Sequence, residues 1–375
     1  MTEKFKGDMY SDIPVQVKEV HLAKVREYVE GLWEKPSLDQ LFIEMTINCN
    51  EHCRHCGSRC GDLKMQDQLT DEEIVNFLNN LKAKLKEDGK RLPFLNITGG
   101  EPTLRPGFAN LMHEISSLGY LWGMTTNGTL IQTKEDVDKL LWAGLKTVSI
   151  SIDGLEETHD WFRQSKGGYK KAMKAVDLLV ESGLYNVMIT TVVHKRNITE
   201  LDELLEIVKQ HNVDTWRVIN VEPIGRAKDN KEITLEKEDY IKMLDFIKEK
   251  RATEKALEVC YGCNHWLGVD NEHRFRSWYF KCAAGIKTGG IFYNGDIGGC
   301  LDIERRPETM MGNIRNDDFL DVWNNKFQIF RQNRADKSDY CKNCSEKENC
   351  RGDGFHTWNL DENRPNLCMF EQYCK

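Results

Sequence analysis

The sequence predicts a partial (β/α)6 barrel, TIM-like and of the α/β class, followed by a cysteine-rich C-terminal module. Three observations carry this. Six apolar runs of strand length alternate with amphipathic helical patterns between residues 41 and 232. No dinucleotide-type GxGxxG follows the first run, which favours a barrel over a doubly wound sheet. All thirteen cysteines lie outside residues 61–259.

Taken in order, residues 1–40 are expected to form a helical extension. The strand runs are LFIEMTI (41–47), FLNIT (94–98), LWGMTT (121–126), TVSISI (147–152), NVMITTVV (186–193) and TWRVINV (215–221). The first helix opens at Thr70 with Glu73 three residues on, a capping box that satisfies orphan backbone donors, and stops at a glycine. Further helices fit near 107–118, 134–143, 168–183 and 199–211. The barrel is expected to span 41–232, a connecting helix 233–259, and the cysteine-rich module 260–375. A barrel of this kind places its active site at the C-terminal ends of the strands.

Composition excludes several classes. Forty per cent hydrophobic and 30% charged residues describe a globular chain, and 52 basic against 60 acidic residues give a net charge of −8. That balance disfavours nonspecific binding to nucleic acid or to an anionic membrane. No apolar stretch approaches the roughly 20 residues of a membrane helix, and the N-terminus lacks a secretory h-region, so a cytoplasmic location is expected. Thirteen cysteines, an odd number, in a reducing compartment point to metal ligation rather than disulfides.

Cys49, Cys53 and Cys56 form CX3CX2C directly after the first strand. Three thiolates can hold three irons of a 4Fe-4S cubane and leave the fourth iron open. A zinc tetrahedron completed by His52 or His55 is the alternative on spacing alone. The motif resembles that of radical S-adenosylmethionine enzymes, and other strand ends agree with it. Thr98-Gly99-Gly100-Glu101-Pro102 resembles that family's GGEP segment, which contacts the amino group of S-adenosylmethionine. Thr126-Asn127, Ser151 and Asp153 resemble positions near the methionine carboxylate and ribose, although Asn127-Gly128 and Asp153-Gly154 also read as turn chemistry. His55 stands where the family often has an aromatic residue.

Cys282, Gly295, Cys300, Cys341-X2-Cys344-X5-Cys350 and Cys368 resemble the SPASM extension, which carries two auxiliary clusters. The resemblance assigns Cys341, Cys344, Cys350 and Cys368 to the distal cluster; a zinc ribbon at Cys341 and Cys344 is the alternative. The family's further cysteine is replaced by Gly354. Cys260 and Cys263 are therefore expected to complete the nearer cluster with Cys282 and Cys300, or Cys374 to replace one of them. A closed set of four would favour electron transfer over binding a substrate thiolate. Cys60 is either a hydrogen-atom donor in the radical cavity or a small buried apolar residue. Asp302 is a candidate proton acceptor.

The resemblance implies an anaerobic enzyme with S-adenosylmethionine, one radical cluster and two auxiliary clusters, supplied with electrons by a flavodoxin or ferredoxin. It implies abstraction of a hydrogen from a ribosomally made peptide or protein residue, giving a cross-link, an oxidation or an epimerisation. Modification of a tetrapyrrole side chain or another small molecule is the alternative, and an electron-transfer or zinc-scaffold protein the remote one. Residues 1–40 show no evident winged-helix leader-binding domain, and Pro223-Ile224-Gly225-Arg226-Ala227 resembles a segment of both substrate groups.

Overall fold

The computed structural model describes residues 13–62, 66–276 and 279–375; the first twelve residues of the expected helical extension lie outside it. The extension is helix α1 (Val15–Glu34). Its buried face, Leu22, Val25 and Val29, packs on Trp266, Tyr279 and Phe280 of the C-terminal module. Each such side chain is worth about 1.5–3 kcal/mol when fully buried, so α1 fastens the module rather than forming a unit of its own.

The barrel alternates β1 (Gln40–Glu44), α2 (Asp71–Glu87), β2 (Phe94–Thr98), α3 (Phe108–Ser117), β3 (Trp122–Thr126), α4 (Lys134–Trp142) and β4 (Leu145–Ser151). It continues with α5 (Glu156–Arg163), α6 (Gly168–Glu181), β5 (Asn186–Val193), α7 (Leu201–Gln210), β6 (Thr215–Asn220) and α8 (Lys237–Thr253). The Thr70 box caps α2 as expected, and α4 repeats the device with Thr133 and Asp136. Strands β1 to β6 pair in sequence and in parallel, as right-handed βαβ crossovers require.

The sheet does not stop at six strands. The module contributes β7 (Glu258–Tyr261), parallel to β6, and, after the short α9 (Glu272–Phe275), β8 (Thr288–Ile291), parallel to β1. Antiparallel β9 (Asp296–Gly298) and β10 (Gly312–Asn313) follow on the β8 side. The strand order runs from β10 at one edge to β7 at the other, so β7 and β8 flank the six strands without closing them. The expected boundary at residue 260 therefore falls inside a strand of the barrel sheet. Short helices α10 (Phe319–Asn325), α11 (Lys347–Cys350) and α12 (Met369–Cys374) complete the module.

Candidate functional site

The loop after β1 carries the first cysteine group and is pinned from two sides. The end of β2 pairs with it, Gly100 N donating to Thr46 O at 2.7 Å and Glu101 N to Asn48 O at 2.8 Å. No side chain fits in this approach: a Cβ on Gly99 would lie 2.5 Å from Thr46 O. The segment after β6 closes the other side. Arg226 donates from Nη1 to Cys53 O at 2.7 Å, from Nε to Asp62 Oδ2 at 3.1 Å, and from Nη2 to Cys60 O. Gly225 has φ +52°, and a Cβ there would meet the carbonyl oxygens of Cys56 and Gly57. The Pro223–Ala227 segment is thus a clamp on the cysteine loop.

Within the loop, Cys49, Cys53 and Cys56 act on one another electrostatically. Hydrogen bonding from Cys60 outweighs burial and draws the Cys56 thiol down to about 6, while burial pushes Cys49 up to about 11. The two nearby imidazoles are otherwise engaged. His52 Nε2 meets Asp62 Oδ1 at 2.8 Å. His55 is stacked flat on Phe162, centroids 4.3 Å apart and planes within 3°, and burial lowers it to about 3. A neutral His55 thus serves as the aromatic plate expected at its position. With both imidazoles engaged elsewhere, the three thiols suit a cubane with one open iron better than a zinc site completed by His52 or His55.

The other strand-end residues divide into those that face open space and those that hold the frame. Thr98 and Gly99 line the barrel lumen, and Ser151 continues the inward face of Thr147 and Ser149. Pro102 is buried as the first residue of a one-turn 3₁₀ helix. Glu101 is fully buried and saturated: Oε1 accepts from Thr103 N and Oγ1, Oε2 from Asn127 N at 2.9 Å, and the Thr126 hydroxyl lies 2.9 Å from both. Asn127 Nδ2 donates to Asn50 Oδ1 at 2.8 Å. The side chains of Glu101, Thr126 and Asn127 therefore brace the cysteine loop against β3.

Asp153 is likewise held by protein partners. It is fully buried, with Oδ2 accepting from Arg163 Nε at 2.7 Å and Oδ1 from Val192 N at 2.7 Å. Burial opposes its ionisation, but Arg163 prevails and holds it below the usual carboxylate range. Arg163 Nη1 also reaches Glu51 Oε2 at 3.0 Å, tying α5 to the cysteine loop.

Two connected cavities lie at and below the strands' C-terminal ends. The lumen, about 540 Å³, is lined by alternate residues of successive strands: Asn96, Thr98, Thr147, Ser149, Asn186, Met188, Arg217 and Ile219. Most of these were not singled out from sequence; the signal was the period-2 inward face of each strand. The mouth, about 460 Å³, lies between Gly57–Arg59, Pro223–Gly225, Leu301–Arg306 and His356–Asp361. The two share Ser58, Leu301, Asp302, Ile303 and His356.

Cys60 lines neither cavity. It is buried with Ile47 and Tyr293 beneath the loop, against Cys49 and Cys56, because it follows the CX3CX2C turn back into the core. Of the module's cysteines, Cys341, Cys344, Cys350 and Cys368 line one cavity of about 220 Å³, a four-thiol set suited to a cubane. The nearer set does not gather. Cys282 and Cys300 face the lumen together, with Asp302 Oδ2 3.8 Å from Cys300 Sγ. Cys260 stands beside Glu258, Arg217 and Arg251, with no thiol acting on it. Cys263 is buried beside Asn220 and Glu222. Cys260 lies within β7 and Cys263 two residues beyond its end, each among groups other than Cys282 and Cys300. Cys374 does not replace them, for its Sγ donates to Leu267 O at 3.0 Å.

An open parallel barrel with a three-thiol loop at its mouth, joined to a four-thiol module, defines a class of radical enzymes. Residues 43–208 match the radical SAM superfamily, and residues 282–345 match the SPASM iron–sulfur cluster-binding domain. The chain is a radical SAM enzyme of the SPASM subfamily, with S-adenosylmethionine and 4Fe-4S clusters as cofactors. It is 27% identical over 325 residues to the AdoMet-dependent heme synthase of Methanosarcina barkeri, covering 82% of this chain and 89% of that protein. It is 27% identical over 314 residues to the mycofactocin maturase MftC of Mycobacterium tuberculosis, covering 82% and 76%. In fold it resembles Streptococcus suis SuiB bound to S-adenosylmethionine, with TM-score 0.71 at 20% identity over 94% of this chain and 81% of SuiB. SuiB has also been solved bound to the precursor peptide SuiA. No helix among the described residues is long and apolar enough to cross a membrane.

Proposed function

We propose that this enzyme abstracts a hydrogen atom from a residue of a ribosomally made peptide or protein, in the cytoplasm, with a flavodoxin- or ferredoxin-type donor. The carrying observation is the charge of the mouth. Its lining holds four basic residues, Arg59, Lys228, Arg305 and Arg306, against four acidic ones, Asp229, Asp302, Glu304 and Asp361. All three arginines are already ion-paired: Arg59 with Asp229 at 2.5 Å, Arg306 with Asp361 at 2.6 Å, and Arg305 with Glu44. A polycarboxylate macrocycle would have to break these pairs, whereas a peptide segment needs only the backbone and apolar surface that Ile224, Ile303, Trp358 and Leu360 supply.

S-adenosylmethionine, when bound at the cysteine-loop cluster and given one electron from it, would supply methionine and a 5′-deoxyadenosyl radical. Cys49, Cys53 and Cys56 would hold that cluster, and the backbone at Gly99-Gly100, with Thr98 and Ser151, would seat the methionine end. The chain's own task is orientation and exclusion of competing reactants, which the Arg226 clamp and the Glu101 and Arg163 braces serve by fixing the loop. Cys341, Cys344, Cys350 and Cys368 would hold the distal auxiliary cluster.

Alignment of this chain along 89% of a heme synthase favours a second reading, a tetrapyrrole side chain. One experiment separates them. Reconstituted enzyme is reduced anaerobically with S-adenosylmethionine, and 5′-deoxyadenosine is measured with peptides encoded beside the gene or with carboxylated tetrapyrroles such as Fe-coproporphyrin III. Stimulation by a peptide, with deuterium passing from it into 5′-deoxyadenosine, is expected; stimulation by tetrapyrroles alone would overturn the peptide reading.

A further inference from the structure

Beside the mouth, three side chains from distant parts of the chain converge without a role in the chemistry above. Glu222 follows β6, His265 follows β7, and His356 belongs to the module. One ligand atom from each lies within 4.8 Å of the other two, and no described thiol joins the set. His265 Nε2 is 2.7 Å from Glu222 Oε1, and His356 Nε2 is 3.8 Å from the same oxygen, too far for a hydrogen bond. We propose that Glu222, His265 and His356 form a binding site for one first-row divalent metal ion, separate from the iron–sulfur clusters and open toward the substrate mouth.

Four further observations support the site. Glu222 Oε2 is buried and accepts no hydrogen bond, an orphan that a cation would satisfy. The other ring nitrogen of His265, Nδ1, is 2.6 Å from Asp353 Oδ2, and Asp353 is fixed in turn by Trp266 N at 2.7 Å. A carboxylate behind a ligating imidazole is the usual means of setting its tautomer and orientation. Gly354 leaves the room that the His356 ring occupies: a Cβ there would lie 2.6 Å from His356 Cε1 and 2.6 Å from Asn264 O, so a side chain at this position would displace the ring. Finally, His356 lines both the mouth and the lumen, so coordination positions not taken by protein face the substrate space.

The donor set selects the ion. Two imidazoles and one carboxylate, with no thiolate among them, suit Zn²⁺ or Fe²⁺ rather than Mg²⁺ or Ca²⁺. Three protein ligands leave at least one position for a substrate carboxylate or carbonyl oxygen. A bound metal would take Nε2 of His265, any proton there leaving to solvent, while Nδ1 keeps its contact with Asp353 Oδ2. The thiol of Cys263 faces the same carboxylate but falls outside the set. The site does not depend on which substrate the enzyme takes.

The test is metal stoichiometry, not turnover. Clustered enzyme is equilibrated anaerobically with Zn²⁺ at a fixed free concentration and desalted, and zinc, iron and acid-labile sulfide are measured in the same sample. The expected result is one zinc per chain, or one iron in excess of sulfide, lost in His356→Ala while cluster iron and sulfide are unchanged. Asp353→Asn keeps the three ligands and should weaken zinc binding about 10- to 100-fold. If His356→Ala instead removes iron and sulfide together, His356 is a cluster ligand and the proposal fails. If the parent enzyme retains no extra metal, the three residues form a hydrogen-bonded network only, and the proposal fails as well.

Discussion

Gly99→Ala probes the junction between β2 and the cysteine loop. The new Cβ would sit 2.5 Å from Thr46 O, and ordinary contact begins at 3.4 Å, so strand and loop must part by about 0.9 Å. Neither atom belongs to a flexible side chain. The adjacent bond from Gly100 N to Thr46 O would lengthen from 2.7 Å to about 3.6 Å, which is no longer a hydrogen bond. Leaving that pair unmade costs about 1–3 kcal/mol. Cys49 lies three residues beyond Thr46, and a misplacement near 1 Å at a reacting centre costs about 100-fold in rate. The assay is dithionite-dependent release of 5′-deoxyadenosine, with iron measured in parallel. A loss of about 100-fold is expected, with the distal cluster's iron retained. A variant that cleaves S-adenosylmethionine at the parent rate would refute the claim that this approach positions the cluster.

Arg163→Met should leave Asp153 and Glu51 as unpaired buried carboxylates, at a cost of about 3–5 kcal/mol in anaerobic guanidinium unfolding; a change below about 1 kcal/mol would show the braces to be dispensable. Cys60→Ala should preserve both cluster assembly and turnover, because the thiol lines neither cavity; loss of product with intact 5′-deoxyadenosine release would restore it as a hydrogen donor. Glu73, hydrogen-bonded by Arg315 and by its own cap, is held at about 2. Its contribution to stability is therefore complete above the unfolded value near 4.5 and is lost as pH falls toward 2. Thermal unfolding between those limits should fall more steeply for the parent than for Glu73→Gln, and parallel curves would exclude this pair as a source of acid sensitivity.

What local chemistry dictates was legible in the chain. The six strands, the Thr70 cap and the position of CX3CX2C at the end of β1 follow from side-chain period, backbone satisfaction and spacing, each settled within about a turn or a strand. The distal cysteines gathered for the same reason, three of them being close neighbours in sequence. Tertiary closure decided the rest. Asp153 and Glu101 look like ligand groups in sequence, but partners 10 and 25 residues away, Arg163 on α5 and Thr126 on β3, hydrogen-bond their oxygens. Cys260 and Cys263 look like a pair, yet β7 joins the barrel sheet and ends between them, so Cys260 stands by Arg217 while Cys263 stands by Asn220 and Glu222. Glu222, His265 and His356 share no motif; they meet because β6, β7 and the module turn end at one point. Spacing fixes which groups can act together along one segment, whereas burial and long-range pairing decide which remain free to meet a ligand.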